Sequence, residues 1–263
     1  MTGRTYVLFL KGLSLEEKSV RAAIRDKIQA AQFRPGILGL FVNPFYFARK
    51  GLFENIEALS KNIKGKILDI GCGQKPYEQC FPASEYVGLE FDTPENRLRK
   101  KADVYYPGGA FPFCDGEFDA VIASQVLEHI SSPNQFLSET WRILKPGGNL
   151  LVTTPFVWDE HEQPNDFARY SSFGLRDLLV RNGFFVVELR KSINDVRVVL
   201  QLINGYLYKK TLTGKPYVNI LTMILLMAPV NIVGTILGAV LPKNNDLYLD
   251  NIVLARKEMK EGG

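Results

Sequence analysis

Residues Lys66–Pro76 constrain the fold of this chain more than any other stretch. An apolar run that closes on Asp69 and continues into Gly71 and Gly73 is typical of a buried strand that ends in a tight, ligand-facing loop. Glycine allows the main chain to approach a ligand closely. Pro76 stands where the dinucleotide fingerprint requires its third glycine, so the loop favours a different nucleoside.

The next predicted strand, Glu85–Asp92, supplies a second carboxylate. Glu90 follows the glycine loop by about twenty residues, the spacing at which an acidic side chain binds ribose hydroxyls in nucleotide-binding α/β folds. Asp69 and Glu90 would then bracket one nucleoside at the ends of two strands.

The loop, together with Glu90, resembles the class I S-adenosylmethionine-dependent methyltransferases that carry a Leu-Asp-Ile-Gly-Cys-Gly sequence. The resemblance implies an α/β fold with a Rossmann-like seven-stranded sheet and helices on both faces. It also implies S-adenosyl-L-methionine as the cofactor. By the same resemblance, the methionine part is held by Asp69, Gly71, Cys72 and Gly73, and both ribose hydroxyls by Glu90.

Length and charge limit the other classes of function. The 263 residues suit one α/β domain with extensions, and a net charge of +4 without a dense basic run predicts no nucleic-acid partner. Cys72, Cys80 and Cys114 form neither a metal-ligand spacing nor an even set for disulfides, so a reducing, cytoplasmic compartment is expected. The apolar run Thr5–Leu10 is too short for a secretory signal.

Composition divides the chain into four parts: residues 1–60 as an N-terminal helical and lid segment, 61–192 as the cofactor-binding core, 193–246 as an apolar insertion, and 247–263 as the last strand and tail. Ser14–Gln32 has the pattern of an amphipathic helix. The aromatic stretch Phe33–Phe53 is open to two interpretations, packing in the core or a lid or membrane-facing flap.

Further strands place more residues at the cofactor pocket. In relatives an acidic residue after the third strand touches the adenine. That position is Pro107 here, and the backbone around Gly109 is the predicted substitute. Strand-end residues face the ligand crevice in open α/β sheets, which predicts that Ser124 and Gln125 line the pocket. His129 lies a turn beyond the strand end, where packing or surface exposure is expected.

The loop Pro155–Tyr170 concentrates His, Asp, Arg and Tyr after a central strand. Methyl transfer to a hydroxyl needs a base, and an imidazole suits that task, so His161 is the predicted base. Asp166 would orient His161 or bind an acceptor hydroxyl, Arg169 would neutralise a substrate carboxylate or phosphate, and Tyr170 would wall the pocket. Alternatively, Asp166 and Arg169 pair to brace the loop. One histidine with scattered acids gives no ligand pattern, so no metal is expected.

The insertion before the last strand contains the uncharged stretch Pro216–Pro242, which is long enough to span a bilayer. Both flanking strands belong to one sheet, so a single crossing is excluded. Pro229 and Asn231 interrupt the apolar run, which predicts a helical hairpin that dips into one leaflet. Two alternatives stay open, a dimer interface and the roof of a substrate tunnel.

The combined prediction is a cytoplasmic methyltransferase, peripheral on a membrane, that methylates an oxygen of a sugar or lipid-linked glycan. The Asp166–Tyr170 run resembles a subgroup met in bacterial surface-polysaccharide gene sets. The alternatives are methylation of an apolar lipid or quinone-type molecule, and a non-catalytic scaffold. The predicted partners are a small-molecule or glycan acceptor, a membrane surface through residues 216–242, and a second copy of the chain.

Overall fold

A seven-stranded sheet organises the computed structural model, which describes residues 32–258. The strands are β1 Gly65–Ile70, β2 Ala83–Phe91, β3 Val104–Tyr106, β4 Phe118–Ser124, β5 Leu144–Pro155, β6 Phe184–Ser192 and β7 Asp250–Lys257. Their order is β3-β2-β1-β4-β5-β7-β6, with β7 antiparallel to both neighbours and the remaining pairs parallel. The predicted Rossmann-like fold is confirmed.

Helices cover both faces of the sheet. They are α1 Gly39–Val42, α2 Tyr46–Ser60, α3 Pro94–Arg99, α4 Pro133–Ile143, α5 Ser172–Arg181, α6 Arg197–Thr211, α7 Pro216–Thr222 and α8 Ala228–Val240. Successive strand residues point to opposite faces, so Val121 of β4 packs in the cluster with α4 and α5, whereas Ile122 packs in the cluster with α2. The helix predicted over Ser14–Gln32 lies outside the described residues, apart from its last residue.

The apolar insertion differs from its prediction at Pro229. A five-residue π-helix, Met223–Met227, joins α7 to α8, so Pro216–Val240 forms one continuous helical run. Pro229 lies in the first turn of α8, where a missing N–H is tolerated, and π-turns commonly absorb such irregularities. The hairpin therefore forms between α6 and this run, not within the run itself.

Buried amide side chains fix the insertion to the N-terminal helices. Asn231 Nδ2 donates to the carbonyl oxygens of Leu40 and Asn43, each at 3.0 Å, and its Oδ1 accepts from Asn204 at 2.9 Å. Gln201 of α6 donates to the carbonyl of Pro44 at 2.9 Å. Asn231, Asn204 and Gln201 are all buried, and a buried amide network specifies one arrangement because each unmade bond would carry a desolvation cost.

The outer face of the insertion is apolar and exposed. Pro216–Val240 is the one helix in residues 32–258 that is long and apolar enough to cross a membrane, and 22% of its most apolar stretch is buried. The exposed side chains include Leu221, Leu225, Ile236 and Val240, and those of Ile37 and Leu38 beside α1. Patches of this kind mark surfaces that meet another molecule or a membrane.

Candidate active site

A cavity of about 1000 Å³ lies where β1, β2 and β4 end, at the edge of the sheet at which parallel strands present their carboxyl termini. Five residues predicted from the sequence line it: Gly71, Glu90, Gly109, Gln125 and His161. Residues from the N-terminal helices, the β5 loop and α6 complete its walls.

The cofactor end of the cavity is formed by β1, β2 and the glycine loop. Gly71 has a φ of +68°, and a Cβ there would lie 2.5 Å from Val126 Cγ2, so only glycine fits. Glu90 is nearly buried at the end of β2, and its Oε1 accepts a 2.7 Å hydrogen bond from the Gly73 amide. That bond ties the acid to the glycine loop, and Glu90 lies in the cavity wall, as a ligand for ribose hydroxyls requires.

Other residues of the predicted cofactor loop support it from behind. The Asp69 carboxylate is buried against Tyr86, whose hydroxyl donates to it at 2.8 Å, and burial raises the pKa of Asp69 to about 7. The Cys72 side chain is buried against Gly88. Neither side chain lines the cavity, and Gly73 reaches it only through its hydrogen bond to Glu90. Asp69 and Cys72 were predicted to contact the cofactor, but in the structure their side chains lie behind the loop that lines the cavity.

Ser124 and Gln125, at the end of β4, were both predicted to line the cavity, but only one of them does. Ser124 pairs with Thr153 at 3.0 Å between the hydroxyl oxygens and does not line the cavity. Gln125 does line it, with a positive φ of 57°, and its Nε2 lies 3.3 Å from Asp250 Oδ1. Asp250 opens β7, accepts a 2.8 Å hydrogen bond from Ser192 and also faces the cavity. Asp250 was not predicted as a site residue, because it lies far from the glycine loop in the sequence.

Asp250 should make the stability of the protein depend on pH. Burial raises its pKa to about 7 in the folded state, so the folded protein holds this proton more tightly than the unfolded chain, and the carboxyl destabilises the fold increasingly as the pH rises from about 4 to 7. Asp250→Asn removes this contribution. Relative to the parent, the variant should gain on the order of 2 kcal/mol between pH 5 and pH 8 in urea unfolding. Asp69 titrates in both proteins, so its contribution cancels when the variant is compared with the parent. A difference in the free energy of unfolding that stays the same at all pH values would contradict the raised pKa of Asp250.

Helix α2 serves both interpretations of the aromatic stretch. Tyr46 and Phe47 are buried in a core cluster, whereas Phe45, Ala48 and Arg49 line the cavity. Arg49 places a cation in this wall. Its signal in the sequence is weak, because it is only a basic residue within an aromatic run.

The wall beyond Pro107 is aromatic and glycine-rich. Phe91 and Tyr106 line it at a ring-centroid distance of 5.8 Å, together with Gly108 and Gly109. A Cβ at Gly108, whose φ is +101°, would lie 2.9 Å from the Phe91 ring. The backbone substitute predicted for the missing acid therefore borders the cavity.

The two histidines of the chain meet at the opposite end. The rings of His129 and His161 lie 4.7 Å apart at 78°, and both line the cavity. His129 Nδ1 lies 2.7 Å from the Asn165 carbonyl oxygen, and His161 Nδ1 lies 3.3 Å from both the Asp159 carbonyl and Asp166 Oδ2. His129, which was expected to be a packing or surface residue, thus lies in the cavity wall.

Glu128 is buried beside this histidine pair. Its side chain has no exposed surface, and neither carboxylate oxygen has a hydrogen-bond partner. Oε1 lies 3.9 Å from His129 Nε2, and burial raises the pKa of Glu128 to about 8. Native proteins rarely leave both oxygens of a buried carboxyl group unpaired, which makes Glu128 a candidate functional residue.

Arg169 and Tyr170 do not line the cavity. Arg169 binds Asp166 bidentately, at 2.6 Å and 2.7 Å, and also donates to the Asp159 carbonyl at 2.9 Å. This pairing holds the pKa of Asp166 well below its usual range. This geometry matches the alternative that Asp166 and Arg169 pair to brace the loop, and the Arg169 guanidinium does not face the cavity.

The first helix of the insertion roofs the cavity. Tyr208 of α6 lies edge-on to Phe45 at 4.9 Å, and Lys209 Nζ lies 2.6 Å from Asp159 Oδ2. Both residues line the cavity. The tunnel-roof alternative for residues 216–242 is therefore wrong: α6 roofs the cavity, while α7 and α8 carry the exposed apolar face.

Comparison with known proteins finds a methyltransferase domain in this chain. A model of the methyltransferase domain matches residues 68–152. A Mycolicibacterium smegmatis protein named "Probable S-adenosylmethionine-dependent methyltransferase" is 32% identical over 127 residues, covering 45% of this chain and 49% of that protein. An uncharacterized protein of Methanocaldococcus jannaschii is 31% identical over 153 residues, covering 52% of this chain and 74% of that protein. The chain spans half or less of the length of the first curated relatives, between 39% and 49%.

Solved structures share the fold. A Haloferax volcanii methyltransferase in complex with the Trm112 methyltransferase activator has a TM-score of 0.53 at 16% identity, covering 95% of this chain and 100% of that one. Phosphoethanolamine N-methyltransferase 2 of Haemonchus contortus, solved with S-adenosyl-L-methionine, has a TM-score of 0.51 at 17% identity, covering 95% and 61%. The glycine at position 71 and the acid at position 90 fit that cofactor. The methyltransferase domain and the named relative support an S-adenosylmethionine-dependent methyltransferase, with S-adenosyl-L-methionine as the cofactor.

Proposed function

We propose that this protein transfers the methyl group of S-adenosyl-L-methionine to a hydroxyl oxygen of a sugar or lipid-linked glycan at a membrane surface. One observation carries the proposal. A single cavity joins the cofactor end, at Gly71 and Glu90, to a histidine end, and its roof is the helix that precedes an exposed apolar surface. A lipid-linked acceptor needs this combination of a polar pocket beside an apolar face.

The histidine end suits a hydroxyl acceptor. Methyl transfer forms a C–O bond as the C–S bond breaks, and the hydroxyl proton must leave. The simplest chemistry for His161 is that of a general base: burial lowers its pKa, which keeps the imidazole neutral, and Asp166 lies behind Nδ1. Asp166 thus acts as the orienting residue of the predicted pair.

The walls near His161 suit a sugar ring. Trp158 and Phe45, with ring centroids 5.9 Å apart, form an aromatic surface, and Asp159 and Lys209 add polar groups. Sugars present apolar ring faces and polar edges, and a site that mixes aromatic planes with a few charged groups contacts both. An apolar quinone-type acceptor would leave the polar groups without partners.

The exposed helix supports a peripheral, cytoplasmic-side position. Both ends of the insertion return to one sheet, and Gln201 of α6 is hydrogen-bonded to the backbone of Pro44 and Phe47, so α6 is held on the domain and cannot serve as a second span. The apolar run would therefore lie along a bilayer surface. Tyr206 and Tyr217, both exposed, have the amphipathic character of interfacial residues.

A methyl-transfer assay tests the proposal. The purified protein is incubated with methyl-labelled S-adenosyl-L-methionine and one acceptor at a time: a lipid-linked oligosaccharide in anionic vesicles, the same glycan freed of lipid, or a quinone-type phenol in vesicles. We expect label in the lipid-linked glycan, located on oxygen by mass spectrometry. Label only in the phenol would overturn the sugar assignment. Failure of the folded protein to bind S-adenosylhomocysteine would indicate the scaffold alternative.

A second measurement tests the surface. Vesicle co-sedimentation compares the parent with a Leu225→Lys/Ile236→Lys variant, whose changes lie on exposed positions and preserve the core. We expect the variant to lose vesicle binding and to retain its affinity for S-adenosylhomocysteine. Equal sedimentation of both proteins, or a stable dimer in light scattering that the variant abolishes, would replace the membrane with a second copy of the chain.

A further inference from the structure

We propose that Glu128, His129 and His161 bind a divalent first-row transition cation at the acceptor end of the cavity. One carboxylate oxygen and one ring nitrogen from each histidine lie within 4.8 Å of one another. The sequence contains only these two histidines, and the fold brings them together from positions 32 residues apart. This proximity is the first of three observations that indicate a cation.

The second observation is the unpartnered carboxylate of Glu128. The side chain is fully buried, and neither oxygen accepts a hydrogen bond. An isolated buried carboxylate is costly unless it is paired with a positive group or coordinates a metal. The nearest partner is His129 Nε2, at 3.9 Å from Oε1, a separation that two atoms can span by sharing one ion between them.

The third observation is the orientation of both imidazoles. His129 Nδ1 faces the Asn165 carbonyl oxygen at 2.7 Å, and His161 Nδ1 faces the Asp159 carbonyl and Asp166 Oδ2 at 3.3 Å. These oxygens only accept. Arg169 Nη2 also lies near His161 Nδ1, but its two hydrogens are donated to Asp166 Oδ2 and the Asp159 carbonyl. Each Nδ1 therefore carries the proton, and each Nε2 keeps its lone pair. Histidines that bind metals are held in this way by outer-shell oxygens.

The positive charge nearest to the cluster is already compensated. Arg169 Nη2 lies 3.4 Å from His161 Nδ1, but its guanidinium forms a bidentate pair with Asp166. The pair carries no net charge. The cation would therefore meet the Glu128 carboxyl group without opposition from a free guanidinium.

The ligand set selects the class of ion. Two imidazoles and one carboxylate suit Zn²⁺, Mn²⁺, Fe²⁺ or Co²⁺, whereas Mg²⁺ and Ca²⁺ prefer oxygen ligands. Three protein ligands leave positions open for substrate, as in catalytic metal sites. Because both histidines line the cavity, those positions face the acceptor.

The site deepens the proposed function and rests on it for its substrate. A bound cation would lower the pKa of a coordinated acceptor hydroxyl, whose proton would pass to water. The acceptor oxygen would bond to the methyl carbon as the C–S bond breaks, leaving S-adenosylhomocysteine. With the cation bound, His161 would be a ligand, and water would take over the base role proposed for it above.

Metal titration tests the site without any acceptor. Full-length protein freed of any histidine tag and stripped with chelator is titrated with Co²⁺ and Zn²⁺ by absorption and calorimetry. We expect one site per chain, and shifts of both imidazoles in ¹H–¹⁵N spectra that contain only two histidines. Loss of an outer-shell partner weakens metal binding by up to about 100-fold. Glu128→Gln removes a ligand itself and should weaken binding by at least that factor. Asp177→Asn, an exposed acid of α5, is the matched control.

The outcomes separate the two proposals. Absence of binding to the folded protein, or equal affinity in Glu128→Gln and the parent, overturns the cation site. If Glu128→Gln does not fold, His129→Gln provides the same comparison. Methyl transfer at full rate after chelation also overturns the cation and leaves His161 as the base. Metal binding by a protein that methylates no hydroxyl acceptor retains the site and overturns the proposed function.

Discussion

Glu90→Gln should lose most of its affinity for the cofactor. In a calorimetric titration with S-adenosylhomocysteine we expect binding about 100-fold weaker than in the parent, since two charge-assisted hydrogen bonds to ribose hydroxyls are together worth about 3 kcal/mol. The substitution also weakens the acceptor of the Gly73 amide, which fixes the glycine loop against β2. The fold should persist, because glutamine keeps the size of the side chain.

A matched control separates local charge from recognition. Glu95→Gln changes an exposed acid of α3 that pairs with Arg99, outside the cavity wall. It should bind S-adenosylhomocysteine as the parent does. Parent-like binding by Glu90→Gln, or an equal loss in both variants, would show that Glu90 is not the ribose ligand.

His161→Gln should abolish most methyl transfer and leave cofactor binding intact. Loss of a positioned general base typically costs 10²–10⁴-fold in rate, so we expect about a 1000-fold slower single turnover on the hydroxyl acceptor identified in the panel. The same direction is expected if the ring is a metal ligand, since glutamine supplies no imidazole nitrogen. Affinity for S-adenosylhomocysteine should change little, because the cofactor end lies at Gly71 and Glu90.

The control for His161→Gln is Asp177→Asn, which should match the parent in both measurements. Turnover by His161→Gln at the parental rate would exclude the ring from the reaction. A large loss of cofactor affinity would instead mean that His161 supports the cavity as a whole. The slower rate would then not be evidence that His161 takes part in the reaction.

The fold was predictable because its strongest signals are local. The glycine loop, Glu90 and the run Phe118–Ser124 each combine strand periodicity with a turn, and neighbouring strands bring their ends to one edge. The cofactor site was predictable for the same reason, since Gly71 and Glu90 follow or end adjacent parallel strands. Backbone topology alone was enough to place both at one cavity.

The acceptor end was less predictable because its contacts are distant in sequence. His129 belongs to a turn after β4 and His161 to the loop after β5, and no spacing rule joins them. Asp250 faces Gln125 across 125 residues. Burial decided the remaining differences: Asp69 and Cys72 match the family pattern, but their side chains point into the layer behind the loop.

The insertion illustrates how tertiary contacts override local signals. Pro229 and Asn231 have the composition of a helix break, yet the π-turn absorbs the proline and Asn231 finds three partners in a buried network. A polar residue in an apolar run was therefore a packing contact. The sequence alone does not contain the positions of those partners.

The place where the insertion joins the sheet has a consequence for how such enzymes diversify. Ser192 and Asp250 are register partners, linked by a 2.8 Å side-chain hydrogen bond, so the chain leaves and re-enters the sheet at one point. Closing a longer excursion between fixed ends costs only about 0.6 kcal/mol per doubling of length. Evolution can therefore exchange the whole hairpin, and with it the roof over the acceptor, while the strands that carry Gly71 and Glu90 stay unchanged.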